Sequence, residues 1–163
     1  MANSTNPVPK GYHTVTPALV VRGAAEAIEF YKKALGAEEL ARMPSPDGKI
    51  THSELKIGDS IIFVSDEFPN MGVSKAPQTL GGCTSTFHLY VQDVDASFQQ
   101  AIDAGGKVSM PVADMFWGDR FGSFTDPFGH HWGILTHKED LSAEEVDKRA
   151  QDFYASMAQK KTA

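Results

Sequence analysis

The sequence predicts an α+β fold in which one β-α-β-β-β unit is written twice in tandem, followed by an extra C-terminal helix. Three observations carry this. Shifted by 70 positions, the sequence falls on itself without a gap: Thr16 on Thr86, Val20 on Tyr90, Ala24 on Val94, Ile28 on Phe98 and Gly36 on Gly106. Within each copy a β-branched or apolar run precedes an amphipathic helical pattern and then further short apolar runs. Beyond the second copy, Ser142 with Glu145 forms a capping box ahead of the apolar stripe Val146, Ala150, Phe153 and Met157, which marks a separate helix.

In the first copy, His13 to Val21 reads as a strand that ends at Arg22-Gly23. Ala24, Ala27, Ile28, Tyr31 and Leu35 recur at helical spacing, with Glu26, Glu29, Lys32 and Lys33 opposite and Gly36 as the stop. Strands follow at Glu38 to Arg42, Lys49 to Ile57 and Ser60 to Ser65, the last two joined by the Gly58-Asp59 hairpin signal. Met71 to Gly82, rich in glycine and close to Pro69 and Pro77, reads as a linker. The second copy begins with a strand from Ser85 to Val91. Asp93 then N-caps a helix carried by Val94, Phe98, Ala101 and Ile102, and Gly105-Gly106 ends it. Strands near Lys107 to Ser109, Arg120 to Thr125 and His131 to Leu135 complete it. The expected organisation is a flexible tail over 1–11, units over 12–68 and 84–137, a linker over 69–83 and a helical extension over 138–163.

Composition narrows the function classes. The chain has 163 residues, 41% hydrophobic and 22% charged, enough for one shared core. A formal net charge of -6 and a sequence pI near 5.4 argue against nucleic acid, whose binding draws on clustered Lys and Arg. No apolar run is long enough for a membrane span, and residues 1–11 lack a secretory signal. With Cys83 as its single cysteine, the chain is expected to be cytoplasmic.

The strings Asp114-Met-Phe-Trp-Gly-Asp-Arg-Phe-Gly, Asp126-Pro-Phe-Gly-His-His-Trp and Thr136-His-Lys-Glu-Asp, set in a doubled β-α-β-β-β unit, resemble the vicinal oxygen chelate (glyoxalase/bleomycin-resistance) superfamily, in particular its PhnB-like branch. The resemblance covers roughly residues 12 to 141. It implies a curved sheet per unit, the two forming a cupped mixed-sheet cavity with helices outside, often in a homodimer. It implies no single activity, since one fold serves many chemistries. Metal-dependent members draw one ligand from the first and last strand of each unit, which carried over gives Thr16, Phe63, Thr86 and Gly133. None offers imidazole or carboxylate, so no metal and no other cofactor is expected.

Strand alternation places Thr86, His88 and Tyr90 on the cup side and Phe87, Leu89 and Val91 toward the helix. The Gly58-Asp59 hairpin sets Glu54 opposite Phe63 and His52 opposite Ser65 on the cup side, and His131 and Leu135 join Gly133 there. His52, Glu54, His88, Tyr90 and His131 are therefore expected to converge, with Phe63 and Phe124 as an apolar wall. Glu54 and His88 are the candidate proton-transfer residues, and His52, Phe63, Tyr90, Trp117, Arg120 and His131 the candidate ligand contacts. The same residues admit plainer roles: hydrogen-bonded strand histidines, a Glu54 ion pair with Lys56 or Arg120, or a displaced metal site using His52, Glu54 and His88 or His131. Arg120 is placed at the cup mouth by pairing Gly122 with Gly133, free to hold a carboxylate or paired in a salt bridge. Trp117, with Met115 and Phe116, reads as a cavity rim or a subunit contact. The Asp126-Pro-Phe-Gly turn reads as geometry, His130 points away from the cup, and Cys83 has no evident activating partner. Two classes stay open for a small-molecule ligand: metal-independent, isomerase- or lyase-like proton transfer, and non-catalytic sequestration of an antibiotic-like compound.

Overall fold

A computed structural model describes residues 6–70 and 74–160 of the chain, so residues 1–5 of the expected tail, 71–73 of the linker and 161–163 of the C-terminal extension lie outside the described residues. The first half forms β1 (Ala18–Val21), α1 (Ala24–Leu35), β2 (Glu38–Pro44), β3 (Ile50–Ile57) and β4 (Ser60–Asp66). A short α2 (Pro77–Leu80) leads to β5 (Thr86–Tyr90), α3 (Val94–Asp103), β6 (Lys107–Asp114), β7 (Asp119–Thr125) and β8 (His131–His137), and α4 (Ala143–Lys160) follows. The strands make two four-stranded mixed sheets of identical layout, β1-β4-β3-β2 and β5-β8-β7-β6, neither closed into a barrel. In each, the first strand runs parallel to the fourth and the others are antiparallel.

The helices cover one face of each sheet. Leu19, Val21, Leu55, Ile62 and Val64 bury against Ala24, Ala27, Ile28 and Tyr31 of α1, while Phe124, Trp132 and Ile134 bury against Val94, Phe98 and Ala101 of α3. These residues belong to one continuous core, and α1 and α3 touch. The turn between β7 and β8 laces the halves together. Asp126, 4% exposed, accepts from the Tyr31 hydroxyl of α1 at 2.7 Å, the Trp132 indole at 2.9 Å, and the backbone N–H groups of Phe128 and His130 at 2.9 Å each. A buried carboxylate is tolerable only when so satisfied.

Several boundaries differ from the sequence expectation for identifiable reasons. β1 begins at Ala18 rather than His13: Pro17 has no N–H to offer, and its carbonyl alone continues the ladder, accepting from Phe63 N–H at 2.8 Å. β6 runs on to Asp114 because it is an edge strand, where Pro111 and the register shifts on either side of Met110 are accommodated. The β7–β8 register is one residue away from the expected one, with Gly122 opposite Ile134 and Ser123 opposite Gly133. The turn Asp126–His130 closes on itself through Asp126 N–H to the His130 carbonyl at 2.9 Å, which sets Thr125 against His131.

Candidate functional site

The register of β7 decides which of its side chains face away from the helices. Gly122 and Phe124 point back into the core, and Phe124, fully buried beside Phe98, is not a cup wall. Arg120 lies on that same helix side. Its guanidinium grips Asp95 of α3 through Nε and Nη2 at 2.7 Å each and Asp114 at 3.1 Å, so it joins helix to sheet and stands outside the expected site. The one-residue slip that moves Arg120 and Phe124 back brings Phe121 forward in their place.

On the open face of the first sheet, the hairpin places Glu54 opposite Phe63 as expected. His52 donates to Glu54 at 3.3 Å and stands edge-on to the Phe63 ring, 4.7 Å between centroids. Tyr12, just ahead of β1 and not singled out by sequence, completes the group: its hydroxyl donates to Glu54 at 2.5 Å and its ring lies 6.2 Å from Phe63. The Tyr12 and His52 donors hold the Glu54 carboxyl below the usual carboxylate range. In return, the hydrogen bond to Glu54 pushes the Tyr12 hydroxyl up. Glu54 is thus an anionic acceptor, not a carboxyl kept neutral by burial.

On the open face of the second sheet, His88 lies over Gly133, where a β-carbon would sit 2.7 Å from Phe121 and 3.2 Å from the His88 ring. The His88 and Phe121 rings are 5.8 Å apart and tilted by only 33°. Glycine at 133 is therefore what lets two rings settle on the sheet. Beside them, Asp119 is 6% exposed. It accepts from the Tyr90 hydroxyl and the Trp117 indole, both at 3.1 Å, and pairs with His137 at 2.8 Å. Trp117 approaches Phe121 at 6.1 Å and Phe116 at 5.0 Å, and Phe116 in turn packs on Phe153 and Tyr154 of α4. His131 is half-buried on this face, its Nδ1 3.0 Å from the Thr125 hydroxyl.

The expected convergence is therefore divided into two clusters, Tyr12-His52-Glu54-Phe63 on one sheet and His88-Tyr90-Trp117-Phe121 with Asp119 on the other. Among the described residues, no hydrogen bond or ring contact joins them. A groove of about 620 Å³ along the free edge of β5 is lined by His88 and Tyr90 together with Gly58, Asp59 and Ser60, without His52 or Glu54. Sequence parity placed His52, Glu54 and Phe63 on one open face and His88 and Tyr90 on the other, but missed Tyr12, Phe121 and Asp119 and the separation of the two groups, because alternation says which face a residue takes and nothing about the distance between sheets.

This doubled layout, with open faces built from β3–β4 and β5–β8 and helices behind, agrees with the family comparison. The model of the Glyoxalase/Bleomycin resistance protein/Dioxygenase superfamily matches residues 12–134. The chain belongs to this superfamily. Within it, the uncharacterized protein Rv0887c of Mycobacterium tuberculosis is 46% identical over 134 residues, covering 81% of this chain and 79% of that protein. An Arabidopsis thaliana gene product of solved structure is 30% identical, covers 76% of this chain and 98% of its own, and superposes with a TM-score of 0.61. A PhnB protein from Bacillus cereus, 17% identical, shares the fold over 76% of this chain and 99% of its own at a TM-score of 0.60. The PhnB-like branch is thus one neighbour among several.

Metal-dependent members of this superfamily are the reason to test these residues as an ion site, and they do not fit one. Phe63 is engaged with His52, Gly133 lies beneath two rings, and Thr16 and Thr86 offer only hydroxyls. Among the described residues, no three His, Cys, Asp or Glu side chains are placed to hold a metal, including the displaced set around His52 and Glu54. Among the same residues no helix is long and apolar enough to cross a membrane.

Proposed function

We propose that this superfamily member binds a small planar organic molecule against the open faces of its sheets, and that a second copy of the chain completes the pocket. The observation that carries the reading is the division of labour on those faces. Glu54 and Asp119 already accept from Tyr12, His52, Tyr90, Trp117 and His137, whereas the rings of His88, Phe121 and Tyr90 stand toward solvent, Tyr90 at 66% exposure. The exposed Tyr90 ring held by the buried Asp119, with the His88 and Phe121 rings on the same face, suits stacking of a flat ligand. The homodimer is supported by apolar side chains left uncovered beside the open face of the first sheet, Leu40 and Met43 on β2. Sequestration in the cytoplasm is the reading that follows.

A second reading, proton transfer by Glu54, is favoured by one feature: Tyr12 and His52 fix the orientation of the carboxylate on the open face, as a general base requires. One experiment addresses both. A panel of planar aromatic compounds is titrated by tryptophan fluorescence and light scattering, and every binder is then held with the protein in D2O and followed by proton NMR. Binding that weakens about tenfold in Phe121→Ala and Tyr90→Ala, by a dimer, without deuterium uptake, supports sequestration. Deuterium uptake abolished by Glu54→Gln supports the second reading. A monomer whose binding is indifferent to both ring deletions defeats the proposal.

A further inference from the structure

Cys83 and His130 lie apart from both clusters, between the edge strands β1 and β5. The thiol is half-buried and its Sγ is 3.7 Å from His130 Nδ1. His130 is 8% exposed, and its Nε2 lies 3.2 Å from the Val20 carbonyl oxygen of β1. A carbonyl only accepts, so the ring proton sits on Nε2 and the Nδ1 lone pair faces the thiol. Burial pushes the imidazole below its ordinary value, which keeps it neutral and able to accept a proton. Nucleophile, base and a third group fixing the base are the parts of an activated thiol. The pair opens on a cavity of about 180 Å³, well beyond the ~30 Å³ share of one water. Pro77, Leu80 and Phe87 give it apolar walls, Lys75 contributes a cation, and among the described residues no carboxylate lines it.

We propose that Cys83 and His130 form a nucleophilic site that adds small α,β-unsaturated carbonyl compounds to the thiol. The sulfur bonds to the β-carbon as the carbon–carbon π pair moves onto the enolate. The thiol proton passes to His130 Nδ1 and is returned to the α-carbon, so the addition balances without oxidant or reductant. Lys75, which lines the same cavity, supplies a cation for the developing enolate. The competing arrangement has the thiol donate to the Ser85 carbonyl at 3.3 Å, which leaves it an ordinary half-buried cysteine.

Because the chain holds one cysteine, its modification is unambiguous. The full chain is treated with methyl vinyl ketone at neutral pH and the adduct followed by intact mass, with Cys83→Ser as the blank and the urea-unfolded chain as the reference thiol. The native protein is expected to react at least about tenfold faster than the unfolded chain, and folded His130→Gln to lose that advantage. A native rate less than tenfold above the reference overturns the proposal, as does a folded His130→Gln that reacts like the wild type. If His130→Gln fails to fold, the native-to-unfolded ratio decides alone.

Discussion

Replacing Asp126 with alanine removes the acceptor at which the two halves of the molecule meet. The Tyr31 hydroxyl and the Trp132 indole are both on fully buried residues, and each loses the partner it has at 2.7 and 2.9 Å respectively. An orphaned buried donor costs about 1–3 kcal/mol, so the two together cost about 2–6 kcal/mol, before the turn N–H groups of Phe128 and His130 are considered. Against a total stability of about 5–15 kcal/mol this is a large fraction. Urea denaturation followed by circular dichroism measures it, with Tyr31→Phe as the comparison. That variant deletes one donor and leaves the carboxylate three others, and it is expected to cost only about 0.5–1.5 kcal/mol. If Asp126→Ala falls within about 0.5 kcal/mol of wild type, the range of an ordinary surface change, the reasoning about this carboxylate is wrong.

Gly133→Ala would drive a β-carbon to 2.7 Å from Phe121, so it is expected to cost about 1–3 kcal/mol and to displace the ring, visible as a shift of the Phe121 and His88 NMR signals. Tyr12→Phe removes the leading donor to Glu54, so the Glu54 carboxyl should titrate closer to its ordinary 4.5 in a carbon-detected pH series; no movement would show that Tyr12 does not set it. His137 is raised above 6.5, first by Asp140 and then by Asp119. The stabilisation it gives is therefore complete below pH 6.5 and fades as pH rises through the raised value, a decline in melting temperature that His137→Gln should flatten.

Local signals made most of the fold legible. The Gly58-Asp59 turn fixed the β3–β4 register, and with it Glu54 opposite Phe63, because a two-residue hairpin leaves one pairing. The β7–β8 turn is longer, its closure depends on Asp126 and His130 bonding across it, and a miscount by one there exchanged Arg120 and Phe124 for Phe121 on the open face. What escaped altogether were contacts across long stretches of chain. Tyr12 reaches Glu54 over 42 residues, Cys83 reaches His130 over 47, and Tyr31 reaches Asp126 over 95. No periodicity encodes such meetings; they arise only when the whole chain packs. The apolar stripe of α4 was readable, but its use of Phe153 and Tyr154 to hold Phe116 was not.

The lacing of α1 to the β7–β8 turn bears on how the repeats can be handled. A chain severed between Gly81 and Gly82 yields two fragments, each with a complete set of four strands, yet the first carries Tyr31 and the second the carboxylate it needs. The two fragments are therefore expected to complement one another, with native structure regained on mixing at a rate that depends on concentration.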